Sequence, residues 1–451
     1  MSLIFQIILV FTIIISGPVW AETVVSAQFP QGVEHSIDDL PSLIEEAVEH
    51  NPEILSAQAK QEAAQTKIPQ AWALKKPWFF YDVMGENLQT RLGPQEQRYG
   101  VMQEIPFPGK LPLRSHLAEF TANRIGHEFL HVRQTVRSQV ISAYADLLEA
   151  QQILAVLHDQ QSALEQVAAT IRAQYATGKK QATDAARMEA EIAKIAERIL
   201  KMTDMRVAAE ERLTLLLNRK QNIQWPMLSV PSIPEVPFDI DKLKDLTLEH
   251  RHGLVIKRFA LKEAETKHKL AKMEYLPDFE VGFNYVEIGN GTTTNANDGQ
   301  DAWMIPIKVS LPLWEPQIRG QVKEAKELRK SAEEDVQNAL NMAMADIVQK
   351  YTKFQTSSER IAVYEKTFIP QADQAFQNTL AGYQGGNNSV LDVLDSIRML
   401  LEARIGYWES YGDTLTAYGA MEQAVGVPFN EIVSAEKEHH NTNHGEVQHG
   451  K

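Results

Sequence analysis

The chain contains no cysteine. That excludes disulfides, thiolate metal centres, thiol nucleophiles and a lipidated N-terminal cysteine. Past residue 21, no uninterrupted apolar run reaches the roughly 20 residues of a membrane-crossing helix, so membrane residence would require strands. Positive charge is in deficit: 45 Lys and Arg against 59 Asp and Glu give −14, which argues against nucleic acid as a partner and leaves cations tolerated. No Gly-rich phosphate loop occurs, and no Ser, His or Asp sits in a nucleophile-elbow context. A catalytic reading therefore has nothing to rest on, and no cofactor is implied. Proline is missing from Leu113 to Tyr175, where Gly126 is the one glycine.

What is present begins with an apolar run, Leu3 to Ile15, followed by Gly17-Pro18 and Val19-Trp20-Ala21. It has the length and cleavage pattern of a secretory signal peptide over 1–21, although no Lys or Arg precedes it. Beyond it, landmarks recur in order. Glu49-His50, Ala64, Thr66, Lys67, Pro77 and Phe79 return as Glu249-His250, Ala264, Thr266, Lys267, Pro277 and Phe279, a shift of 200. Pro106 returns as Pro312, and Tyr175, Gly178 and Asp184 return as Tyr383, Gly386 and Asp392, so the shift grows to 206 and then 208. A unit this long is a large supersecondary block present twice. The expected division is a first repeat over 22–224, a Pro-rich linker over 225–240, a second repeat over 241–427 and an acidic, His-containing tail over 428–451.

Within each copy the period of the pattern changes. Leu40, Leu43, Ile44, Ala47 and Val48 share a helix face after Asp38-Asp39, and Asn51-Pro52 separates a second helix reaching about Leu74. Period-2 alternation follows over 79–87 and 98–107, and again over 279–287 and 303–313, with aromatic-rich apolar faces opposite polar ones. Segments of about 10 such residues suit transmembrane strands, and half-buried strands of a soluble sheet alternate in the same way. Gly289 to Asp301 reads as a polar outer loop with Asn87 to Glu96 as its counterpart, and Pro306 calls for a bulge or strand start. Long helices are expected over 113–175, 184–218, 318–382 and 390–425, the third broken at Pro370. Four strands cannot close a barrel, and open edges are not tolerated in lipid. Three chains would supply twelve.

SLIEEAVEHNPEI at 42–54, QEIPFPGK at 103–110 and, most specifically, AGYQGGNNSVLDVLDSIRMLLEARIGYWESY from Ala381 to Tyr411 resemble the TolC-type outer-membrane efflux channel family, the second motif pointing to its heavy-metal branch. The resemblance runs from about Asp38 to Val427. It implies a mainly α fold with a transmembrane β part: a duplicated helix–β-hairpin–long-helix-hairpin unit, assembled as a homotrimer into a 12-strand β-barrel continued by an α-helical barrel. It further implies a passive exit duct in the outer membrane and its lipid. A periplasmic adaptor and an inner-membrane pump of the resistance-nodulation-division type would be its partners. The competing reading is an adaptor or coiled-coil scaffold without a pore. It is opposed by two helical hairpins and four alternating strands in one chain.

Asp392 and Asp395 are three apart and share a helix face. In a trimer they would set six carboxylates around one axis, whereas singly they are solvated charges at a helix start. By resemblance they fall on the family's acidic periplasmic entrance, with Asp184 as first-copy counterpart and Tyr383 on another entrance position. Asn388 stands where the family carries a gating arginine. Gly178 and Gly386 suit left-handed turns closing long helices, and with Thr183 and Ser389 they would form the adaptor-docking tips. His439, His440, His444 and His449 in the tail are at most loose metal ligands; a solvated tail is the plainer reading.

Overall fold

The computed structural model describes residues 39–176, 182–220, 225–233, 235–290 and 297–434. The expected signal segment, Asp38, Gly178 and the tail histidines lie outside them. The first helix, α1 (Leu40–His50), starts where an acceptor side chain precedes it: Asp39 takes the Ser42 N–H and buries Leu43, Ile44 and Ala47 behind it. Asn51 then ends α1 and caps α2 (Pro52–Gln65), taking the Glu53 and Ile54 N–H groups. A short α3 (Lys67–Trp72) leads to the hairpin β1 (Trp78–Thr90) and β2 (Gly93–Ile105). From there α4 (Lys110–Ala176) runs 67 residues, about 100 Å at 1.5 Å per residue, and α5 (Ala182–Leu216) returns.

The second copy repeats the order. It comprises α6 (Ile240–His250), α7 (His252–Met273), strands β3 (Phe279–Ile288), β4 (Ala302–Met304) and β5 (Ile307–Val309), then α8 (Glu315–Val363), a π turn (Tyr364–Phe368), α9 (Ile369–Gln384) and α10 (Val390–Val425). The linker is no loose strap. Trp225 donates to Thr214 Oγ1 at 3.0 Å, Gln151 brackets Pro226 O and Leu228 N, Tyr144 donates to Ser229 O at 2.6 Å, and Tyr411 donates to Pro231 O. One window of α4 is apolar enough by composition to cross a membrane, but 61% of it is buried against neighbouring elements.

The strands form one antiparallel sheet in the order β1-β2-β3-β4, with β5 also on β3. Register places Tyr81 opposite Tyr99, Tyr99 opposite Tyr285 and Tyr285 opposite Trp303, an aromatic row across the sheet. On the same face Phe79, Val83, Val101, Phe283 and Ile307 are exposed. The opposite face is tight and mixed: Arg98 pairs with Asp82 at 2.6 Å, Met102, Val286 and Ile288 are buried, and a Cβ on Gly282 would collide with Met102 Sδ. An exposed, aromatic-rich apolar face is the lipid side of a membrane barrel wall.

Two expectations change, at 87–96 and at Pro370, while the strand start expected at Pro306 is met. Asn87 to Glu96 is no loop, because β1 and β2 continue to a tight turn at Arg91-Leu92, which Thr90 Oγ1 closes on Gly93 O. The last strand is split around Pro306, which lacks a ladder N–H but still accepts from Gly282 N at 3.0 Å. Pro370 does not break its helix. The chain widens into the π turn just before it and continues as α9.

Candidate functional site: the α9–α10 turn and its acidic face

The end of the molecule remote from the sheet is built by the last turns of α4, the first of α5 and the turn joining α9 to α10. The interior there is apolar: Leu164, Ile171, Met188, Phe376, Val390, Val393 and Ile397 belong to one cluster. Gly386 adopts φ +79, a left-handed conformation that L side chains resist, so the chain can reverse. The N–H groups of Asn387 and Asn388 both reach Gly382 O, at 2.8 and 3.2 Å. Asn388 turns its side chain back into the same turn. Its Nδ2 donates to Thr379 O at 3.2 Å and rests so close to Gly382 that a Cβ there would be 2.6 Å away. A neutral amide thus sits in the turn at the position where the family resemblance expects a cation.

Ser389 caps α10 in a reciprocal box. Its N–H and hydroxyl contact Asp392 Oδ2 at 2.8 and 2.7 Å, and Asp392 N returns to Ser389 Oγ at 3.2 Å. The backbone N–H of Ser389, then its hydroxyl, hold the Asp392 carboxyl below the ordinary range. Asp395 is one turn on, with its side chain 73% exposed and only a 3.3 Å contact to Arg398 Nη1. Asp392, Asp395, Met399 and Glu402 are all exposed, and their spacing puts them on one stripe of α10.

Asp184 lies in the first turn of α5 and is half-buried. Tyr383 is buried against Phe376 and Val390; burial, then the charge of Asp184, pushes its phenol up. The fold thus brings Asp184 and Tyr383 together across the copies and leaves Asp392 and Asp395 on the open side. Thr183 and Ser389 are exposed beside their turns.

Sequence reasoning missed the tie beneath this stripe. Arg398 grips Glu191 of α5 with Nε and Nη2, at 2.9 and 2.5 Å, and Glu191 is almost enclosed. The hydrogen bonds from Arg398 hold the Glu191 carboxyl below its ordinary range despite burial. The pair spans 207 residues; its sole local signal is Arg398 three residues after Asp395.

Comparison with known proteins agrees with this layout. The family model described as "Outer membrane efflux protein" matches residues 43–219 and 243–427, one stretch per copy. The cobalt-zinc-cadmium resistance protein CzcC of Cupriavidus metallidurans is 23% identical over 374 residues, covering 82% of this chain and 86% of that protein. Outer membrane protein TolC of Vibrio cholerae is 22% identical over 411 residues, covering 86% and 91%. The solved outer membrane protein VceC of Vibrio cholerae superposes with a TM-score of 0.72 at 21% identity, covering 86% of this chain and 96% of that one. The poreless adaptor reading finds no support among these relatives. With two matched repeats, a membrane-type sheet wall and long helical hairpins, the chain belongs to the outer membrane efflux protein family and is an outer-membrane efflux channel.

Proposed function

We propose that this channel works as a homotrimer, as the passive exit duct of a tripartite system, and that its cargo is divalent transition-metal cations. An inner-membrane pump of the resistance-nodulation-division type would supply the free energy, and a periplasmic adaptor would dock on the Gly178 and Gly386 turns with Thr183 and Ser389. The observation that carries the cargo reading is the similarity to a cobalt-zinc-cadmium resistance protein over most of both chains. The exposed acids of α10 support it, since Asp392, Asp395 and Glu402 present carboxylates with no full countercharge. Three such stripes around an axis would draw cations and oppose simultaneous ionisation. The trimer is supported by the sheet, whose β1 and β4/β5 edges are unpaired within one chain and cannot remain so in lipid.

Planar-bilayer recording tests the entrance. The Asp392→Ala/Asp395→Ala channel should lose cation preference and block by divalent ions, and the wild-type block should fade as pH falls and the acids protonate. Unchanged selectivity and block in the double variant would refute the constriction. For the cargo, a host lacking its own duct and supplied with the cognate pump and adaptor should regain zinc, cobalt or cadmium resistance. Restored tolerance of organic toxicants alone would refute a metal cargo.

A further inference from the structure

His127, on α4 of the first copy, meets His252, which opens α7 of the second. Their Nδ1 atoms are 3.4 Å apart, and the ring centroids are 5.6 Å apart with planes inclined by 44°. That separation is long for a hydrogen bond, whose usual limit is about 3.2 Å. It matches another arrangement. Two imidazole nitrogens bound at about 2.0–2.1 Å to one tetrahedral ion lie about 3.3–3.4 Å from each other.

We infer that His127 and His252 form a two-imidazole site for a borderline transition-metal ion such as Zn²⁺ or Cu²⁺, joining the two copies at the α4–α7 contact. Both rings are held in place. His127 stacks on Phe259 with centroids 5.6 Å apart and planes 25° apart. The backbone of Gly426 lies beside the His252 ring. Its N–H is committed to Glu422 O at 2.8 Å, and its carbonyl receives Gln134 Nε2 at 3.1 Å.

Gly426 can come this close because it is glycine: at φ +100, a Cβ would sit 2.5 Å from His250 O.

Ions can reach the His127 side. His127 lines an open groove of about 610 Å³ shared with Gln61, Gln65, Glu119 and Asn123. Among the described residues no three His, Asp or Glu side chains converge on one point. Water therefore fills the remaining positions, and the site is exchangeable rather than a closed structural one. The inference does not rest on the cargo proposed above, because neither histidine belongs to the entrance stripe.

The test uses the full-length assembly in detergent, with His439, His440, His444 and His449 changed to Asn so that the tail cannot compete. After chelator treatment it is titrated with Cu²⁺ and read by electron paramagnetic resonance. The expected result is one high-affinity Cu²⁺ per chain with two imidazole nitrogens, displaced by Zn²⁺. His127→Asn and His252→Asn should each weaken binding at least about tenfold and erase the two-nitrogen pattern, whereas His158→Asn, much further along α4, should change neither. An unaltered spectrum in both variants overturns the site. Should a variant fail to assemble, diethyl pyrocarbonate labelling of the unsubstituted chain decides. Zn²⁺ should protect His127 from modification, and labelling indifferent to Zn²⁺ overturns the inference.

Discussion

Replacing Lys110 by methionine removes an ammonium group that is 2% exposed from the joint where β2 passes into α4, and leaves its carboxylates behind. Asp278 lies 3.0 Å from the Lys110 Nζ and Glu274 lies 3.5 Å from it. Asp278 also takes the Phe107 N–H at 2.8 Å, so one carboxylate fastens the strand exit of the first copy to the strand start of the second. Breaking a buried pair by deleting one partner costs about 3–5 kcal/mol. Asp278 retains 27% exposure, which places the loss near the lower end, about 3 kcal/mol. Lys110→Met/Asp278→Asn strands no charge and should cost much less.

In a detergent-solubilised oligomer that unfolds irreversibly, the appropriate readout is the half-life of the native form at fixed temperature. A loss of about 3 kcal/mol shortens it by on the order of 100-fold if the joint opens in the rate-limiting step. The double variant should recover most of that loss on a logarithmic scale. A Lys110→Met half-life within about twofold of wild type would show that the joint is held by packing alone. A double variant less stable than the single would refute the stranded-charge argument.

Gly382→Ala places a methyl 2.6 Å from Asn388 Nδ2 and should dislodge that amide from Thr379 O. Single-channel conductance should change while membrane insertion is preserved, and unaltered conductance would remove the Asn388 tuck from the entrance. Gly386→Val forces a β-branched residue to φ +79, a local strain of about 1–3 kcal/mol. It should reduce efflux and adaptor crosslinking at this turn without lowering the yield of assembled channel. Glu149 is raised to about 7 by burial, then by Glu409, Asp146 and Asp413. Folding therefore opposes its ionisation: the cost is absent below about 4.5, grows as pH rises and is complete above about 7. Glu149→Gln should accordingly outlast wild type at pH 8 and match it at pH 4, and a pH-independent difference would contradict this.

The elements were legible where local chemistry is decisive. The α10 bounds follow from Ser389 and Gly426, and α1 follows from an acidic cap and one apolar face. Alternation marked the strands because one face meets lipid and the other does not. Misreadings arose where neighbours override composition. Polar residues near 87–96 read as loop, yet β3 pairs with β2 up to Gln95 and extends the hairpin. Pro370 read as a break, yet the preceding π turn sets Ile369 N–H on Tyr364 O and leaves Pro370 in the first turn of a helix that continues to Gln384. Spacing placed Asp392 and Asp395 on one helix face, and their entrance role is proposed from the family resemblance. The burial of Tyr383, the inward turn of Asn388 and the Glu191–Arg398 tie depend on packing between elements far apart in sequence, and no local pattern encodes them.

The π turn also takes up part of the length difference between the two diverged copies. From Pro106 to Tyr175 the first copy advances 69 residues, whereas from Pro312 to Tyr383 the second advances 71, two more. Each surplus residue in a regular helix would rotate everything beyond it by about 100°. A π turn holds one additional residue without passing that rotation on. Gly406 leaves room for the displaced Tyr364 ring, since a Cβ there would lie 2.5 Å from it. Tyr364–Phe368 is thus a length buffer: a one-residue deletion inside it would be absorbed by reversion to α geometry, whereas the same deletion a few turns later would scramble the tip.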